Sequence, residues 1–100
     1  MDKPKKISEA IRFGMTFLGN SRHQFIDDYN NPKCCCAIGT AYVAAGLPMD
    51  FESVSVPNIY SRLSERFAVP LHLLVQASFL HSSRMKTRKQ IAAWFAKQGY

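Results

Sequence analysis

The residues best suited to chemistry are three consecutive cysteines, Cys34–Cys36, and three histidines, His23, His72 and His81. A tetrahedral zinc site draws cysteines from positions two to four residues apart, so that the sulfur atoms converge on one ion. Neighbouring residues of a helix point about 100° apart and do not converge in this way. The chain has no C-x-x-C or H-x-x-x-H spacing. We therefore expect no metal site and no cofactor.

Covalent catalysis would need a thiol with a base within hydrogen-bond reach. His72 and His81 are nine residues apart, which places them on nearly opposite faces of a helix. Asp27-Asp28 is typical of turns, and neither a phosphate-binding loop nor a G-x-G-x-x-G run is present. We predict that the chain is not an enzyme. A thiol at a helix start can become reactive, so a thiol-dependent enzyme or redox sensor at Cys34–Cys36 is an alternative.

The positive charge is concentrated at the carboxyl end. All seven acidic residues of the 100-residue chain lie at or before Glu65, while the net charge is +6. Six basic residues follow without an acidic companion: Arg66, Arg84, Lys86, Arg88, Lys89 and Lys97. A concentrated positive field attracts acidic protein surfaces and nucleic acids. These six residues are the predicted partner-binding residues, and an ordinary solvated face is the alternative.

The elements that position these residues read as helices. The first opens at Ser8 as N-cap and ends at Gly19-Asn20. Asn31-Pro32 is typical of a helix start, and Gly46 of a helix end, which predicts a helix over approximately 32–45. Its small residues make it slim, so that Gly14 of the first helix would suit a close approach. Residues 21–31 fit a loop that contains either a short helix or a short strand.

The second half continues in the same way. A helix is predicted from about Pro57 to Phe67, after a connection over 47–56, and Pro70 breaks it from the next segment. Residues 71–80 are apolar nearly all round, which predicts a buried helix, with a strand over 73–76 as an alternative. Thr87 to Gln90 match a capping box before the last helix. The predicted fold is all-α: one domain over 1–100, with about five helices around the slim helix.

Residues 61–78 also fit a helix-turn-helix. Leu63 and Leu74 occupy apolar positions of that motif, and Ala68-Val69 would form its turn. A recognition helix must offer polar side chains to base edges, and this one offers mainly His72 and Gln76. A DNA-binding regulator is therefore an alternative function, and a plain helical corner in the core is the competing interpretation.

Three segments carry a resemblance to a family. They are S-E-A-I-R-F-G-M at 8–15, C-A-I-G-T-A at 36–41 and T-R-K-Q-I-A-A-W at 87–94. In order and content they resemble small bacterial and phage proteins that have a C-A-[LI]-G-[AT]-A helix and close with a helix like T-R-E-Q-I-A-D-W. Lys89 and Ala93 stand where that family has acidic residues. The resemblance implies a fold and a phage or mobile-element origin, and it implies no particular activity.

Together these features predict a small non-enzymatic binding module whose basic carboxyl end binds an acidic protein surface or nucleic acid. An inhibitor of a host defence complex, such as an anti-CRISPR protein, is one version of such a module. No apolar run approaches the ~18–20 residues that span a bilayer, and no signal-peptide pattern follows the basic start. We therefore expect a cytoplasmic protein without a membrane partner.

Overall fold

The computed structural model describes residues 4–22, 24–28, 30–49 and 56–100. These ranges contain five helices: α1 (Ile7–Gly14), α2 (Ala37–Ala44), α3 (Val56–Phe67), α4 (Leu71–Ser82) and α5 (Arg88–Lys97). Between α1 and α2 lie two short strands, β1 (Gly19–Asn20) and β2 (Cys34–Cys35), which pair in parallel. The chain is mostly helical, as predicted, but it is not purely all-α.

The slim helix is shorter than the predicted 32–45 because the residues before Ala37 are held in other structure. Asp27 Oδ1 accepts the backbone N–H groups of Lys33 and Cys34, each at 3.0 Å. The Cys36 N–H donates to the Gln24 carbonyl at 3.1 Å. These contacts hold the segment extended, so Asn31-Pro32 does not open the helix. Cys36 is the N-cap instead, and its sulfur accepts the Gly39 N–H.

The first helix also differs from its predicted bounds. It ends at Gly14, and Gly19–Asn20, predicted as the helix stop, form β1. Ser8 is not the N-cap, because Lys6 takes that position and Ser8 lies buried in the first turn. The Ser8 hydroxyl donates to the Tyr100 carbonyl at 3.1 Å, which ties α1 to the end of the chain.

The helices α1 and α2 approach each other closely, as the small residues of α2 predict. A Cβ atom added at Gly14 would lie 2.5 Å from Thr40 Cγ2 and 2.9 Å from the Thr40 carbonyl oxygen. A Cβ atom at Gly39 would overlap the Phe25 carbonyl, because the loop before β2 crosses the first turn of α2. α2 also contacts α3, α4 and α5. The start of α2 is therefore enclosed by backbone on two sides.

The later helices follow their local signals. Gly46, with φ of 68°, stops α2, and the chain turns from α3 to α4 through Ala68, with φ of 54°. The predicted connection over 47–56 lies largely outside the described residues. The capping box is confirmed: Thr87 accepts the Gln90 N–H, and the Gln90 side chain accepts the Thr87 N–H. Ile91 and Phe95 bury the inner face of α5 in the core.

Candidate functional site

The outer face of α5 carries a groove edged by two lysines. We call it the α5 groove, and its lining consists of Lys86, Gln90, Ala93, Trp94 and Lys97. Four of these residues recur at helical spacing on one face of α5, and Lys86 comes from the turn before that helix. Trp94 is half-buried: its ring contacts Phe95 edge-on, at 4.9 Å between centroids, and its remaining surface faces the groove. The arrangement offers an apolar wall between two positive charges.

Two further predicted basic residues, Arg84 and Lys89, lie exposed on either side of Lys86 in the chain. Arg84 has φ of 64°, and the turn it forms leaves its neighbour Met85 66% exposed. Arg66 is placed differently. Its Nη2 atom donates to the Pro4 carbonyl at 2.6 Å, and its guanidinium lies 4.7 Å from the centre of the Phe67 ring. Arg66 is thus engaged in holding α3 to the amino end.

The sixth predicted residue, Arg88, is not at the surface. Only 8% of it is exposed, and its Nη1 atom donates to Thr40 Oγ1 at 3.0 Å. Burial lowers the pKa of the guanidinium, which nevertheless stays charged at neutral pH. Its contact joins α5 to α2, and Arg88 does not line the α5 groove. Of the other predicted residues, Arg84, Lys89 and Lys97 are exposed and Lys86 is half-buried.

A polar cluster that the sequence pattern did not indicate lies next to Arg88. Arg22 Nη1 donates to the carbonyls of His81 and Lys86, at 2.7 and 3.2 Å. His81 is fully buried, and its Nε2 atom lies 2.9 Å from Asn20 Oδ1. An amide oxygen only accepts, so Nε2 carries the proton and Nδ1 is left without a partner. Burial first, then the charges of Arg22 and Arg88, lower the pKa of His81 to about 4.

Asn20, Arg22 and Arg88 border a hollow of about 250 Å³ between the end of α1, the strand β1 and the start of α5. We call it the arginine pocket. It is lined by Met15, Asn20, Arg22, Thr87, Arg88 and Lys89. Every polar group of this lining is neutral or positively charged. Thr87, Arg88 and Lys89 are consecutive, whereas Met15, Asn20 and Arg22 lie far earlier in the chain, and no motif spacing connects the two groups.

The three cysteines are free thiols, and two of them, Cys35 and Cys36, are buried. Burial raises the pKa of Cys35 to about 12, and it also raises the pKa of Cys36. Cys34 is half-buried beside Gly19. Among the described residues, no group of three or more histidine, cysteine, aspartate or glutamate side chains is placed to hold a metal ion.

The outer face of α4 is apolar and open, contrary to the predicted burial of residues 71–80. Leu71, Val75 and Phe79 recur every four residues and are 50%, 52% and 63% exposed. We call them the α4 stripe. The opposite face is buried through Leu74 and Ala77. The apolar composition of residues 71–80 predicts a helix, but it does not predict which face of that helix is buried.

Comparison with known proteins gives no relative: no family model matches the chain, and neither a curated protein nor a solved structure is similar to it. In the part of the chain that the structure describes, none of the helices has the length and apolar character needed to cross a membrane. The function proposed below therefore depends on the side chains described above.

Proposed function

We propose that this protein is a small non-enzymatic binding module whose basic carboxyl end docks an acidic protein surface. The observation that supports this proposal is the α5 groove, whose lining brings Lys86 and Lys97 together with the half-buried Trp94. Neither lysine forms an ion pair with a carboxylate of the described residues. Charges that are not neutralised within the chain are available to a partner, and they steer its approach.

Exposed apolar side chains elsewhere in the carboxyl-terminal half favour a protein partner over nucleic acid. Phe79 and Met85 are more than 60% exposed at the end of α4 and in the turn that follows. Protein interfaces combine a centre of aromatic and methionine side chains with a charged rim. Binding to a nucleic acid backbone rests on phosphate contacts and gains little from exposed aliphatic side chains. A scaffold of helices around α2 would hold both kinds of group on one module.

A DNA-binding regulator is the second candidate, because α3 and α4 have the burial pattern of a helix-turn-helix. Leu63 and Leu74 are fully buried, and the turn between the helices contains Ala68 at positive φ. The α4 stripe occupies the face that would enter the major groove. Leucine, valine and phenylalanine offer no hydrogen bonds to base edges, so this face also suits a protein better.

We further propose a phage or mobile-element origin and a role without thiol chemistry. The resemblance of three segments to small bacterial and phage proteins supports a phage or mobile-element origin, and an anti-CRISPR protein is one version of such a module. The raised pKa values of Cys35 and Cys36 keep both as neutral thiols, which supports a non-enzymatic role over thiol chemistry.

Fluorescence anisotropy with a labelled mixed-sequence DNA duplex, over a series of KCl concentrations, separates the two partner classes. The test variant is Lys86→Glu/Lys97→Glu. The matched control is Arg12→Glu/Lys33→Glu, which makes the same charge change at exposed residues outside the groove. We expect weak binding that both variants reduce alike. Tight binding with a steep salt dependence, lost only in the groove variant, would make nucleic acid the partner.

A further inference from the structure

Arg88 is a buried cation without a counter-ion. It is 8% exposed, and its one hydrogen bond within the described ranges goes to the neutral hydroxyl of Thr40. A guanidinium has five N–H donors, and buried charges are normally paired because isolated ones are costly to desolvate. No carboxylate of the described residues pairs with it. Arg88 also lines the arginine pocket, so this unpaired charge lies beside an open hollow.

Arg22 adds a second positive charge to the same hollow. Its guanidinium donates to backbone carbonyls of His81 and Lys86, which fix its position but leave its charge without a counter-ion. The charges of both arginines lower the pKa of the buried His81, which stays neutral at pH 7 and offers them no negative charge. Like charges repel each other, and an anion bound in the pocket that both arginines line would offset this repulsion.

The remaining wall also favours an anion. The start of α5 contributes Thr87, Arg88 and Lys89 to the lining. The capping box satisfies the Thr87 and Gln90 N–H groups, while the N–H groups of Arg88 and Lys89 have no acceptor within the helix. Free N–H groups and the positive end of the helix dipole bind phosphate and similar anions. Asn20 accepts from His81 through Oδ1, which leaves its NH₂ group for a ligand.

We propose that the arginine pocket binds a single phosphate group, held by the paired N–H donors of Arg22 and Arg88 and by Lys89. Arginine forks match the oxygens of a phosphate in a bidentate way, and lysine adds a point charge. The phosphate belongs either to a small phosphorylated molecule or to the end of a nucleic acid strand. The site is separate from the α5 groove, so it does not rest on the function proposed above.

Isothermal titration calorimetry with inorganic phosphate, at constant ionic strength set with chloride, tests the proposal. We expect saturable binding by the wild-type protein and about tenfold weaker binding by Arg22→Gln, since charge-assisted hydrogen bonds to phosphate are lost. Lys89→Gln changes an exposed side chain that the fold does not need, and we expect about threefold weaker binding from the lost point charge. Arg84→Gln is the matched control, because Arg84 is exposed in the preceding turn and does not line the pocket.

Thermal unfolding monitored by Trp94 fluorescence gives a second measurement. Phosphate should raise the melting temperature of the wild type and of Arg84→Gln, and raise that of Arg22→Gln less. No saturable binding by the wild type, or equal binding by wild type, Arg22→Gln and Lys89→Gln, would overturn the proposal. A 5′-phosphorylated and a 5′-hydroxyl oligonucleotide, compared with phenyl phosphate, then separate the two sources. Tighter binding of the 5′-phosphorylated oligonucleotide than of phenyl phosphate indicates a strand end, and equal affinity for the two ligands indicates a small molecule.

Discussion

His81 makes the stability of this protein depend on pH in a defined window. The imidazole is fully buried and donates to Asn20, and its pKa is lowered from 6.5 to about 4. The unfolded chain therefore binds a proton at this position between pH 6.5 and 4, whereas the folded chain does not. The stabilisation is complete above pH 6.5 and is lost progressively as the pH falls to 4. The lowering of the His81 pKa corresponds to about 3 kcal/mol of unfolding free energy at neutral pH. This is a large part of the roughly 5–15 kcal/mol that separates the folded and unfolded states of a domain.

Urea unfolding followed by Trp94 fluorescence, at pH values from 7.5 to 4.5, measures this dependence. We expect the free energy of unfolding to fall by about 2 kcal/mol between pH 7 and 5. Below pH 6.5, the slope of this free energy against pH approaches the value for the binding of one proton on unfolding. His81→Gln keeps an N–H donor for Asn20 but does not titrate, so its profile should lose most of that slope. His72→Gln, an exposed residue of the same helix, is the matched control and should keep it.

The Asp27 carboxylate acts at a lower pH than His81. Hydrogen bonds from the backbone of Cys34 and Lys33 hold the pKa of Asp27 below its ordinary value of 3.8. Its stabilising effect is therefore lost at more acidic pH than that of His81. An unfolding free energy that is the same at pH 7 and pH 5, or an unchanged slope in His81→Gln, would refute the assignment of this dependence to His81.

Four further predictions concern other residues. Gly39→Ala should destabilise the protein by about 3 kcal/mol or more, because the new methyl group overlaps the Phe25 carbonyl, and an unchanged urea midpoint would contradict this contact. Thr87→Ala should cost about 1 kcal/mol through loss of the cap, measured in the same way, and no loss would speak against the capping box. Iodoacetamide should label Cys34 in the folded protein, and label 35–36 only after unfolding, as read by mass spectrometry; rapid labelling of all three would mean that the buried thiols are accessible. Phe79→Ser should change the unfolding free energy by less than about 0.5 kcal/mol, and a larger loss would show that this side chain is part of the core.

Local signals predicted the elements that depend on neighbouring residues alone. The Thr87–Gln90 capping box, the stop at Gly46 and the break at Pro70 all lie where the sequence places them. Asn31-Pro32 does not start a helix, because acceptors earlier in the chain bind the backbone N–H groups of the segment that follows it. The Asp27 carboxylate and the Gln24 carbonyl take the N–H groups of the following segment, and that competition has no signature in the local pattern.

The residues of the candidate site also divide into those that the sequence predicts and those that only the fold brings together. Charge counting found Lys86, Lys89 and Lys97, which are on the surface, as charged residues usually are. It placed Arg88 with them, because nothing near Arg88 in the sequence shows that Thr40, 48 residues earlier, accepts its hydrogen bond. Asn20, Arg22 and His81 meet only through the folded chain. Such a cluster has no periodicity, and it becomes visible only when the fold is known.

The central claim is that the α5 groove is the contact surface, and affinity capture with matched variants tests it most directly. Immobilised wild-type protein, Lys86→Glu/Lys97→Glu and Arg12→Glu/Lys33→Glu are each exposed to nuclease-treated bacterial extract, and the bound proteins are quantified by mass spectrometry. The account predicts acidic proteins that the wild type and the Arg12/Lys33 variant retain equally and the groove variant loses. Retention of the same proteins, in the same amounts, by all three would contradict it.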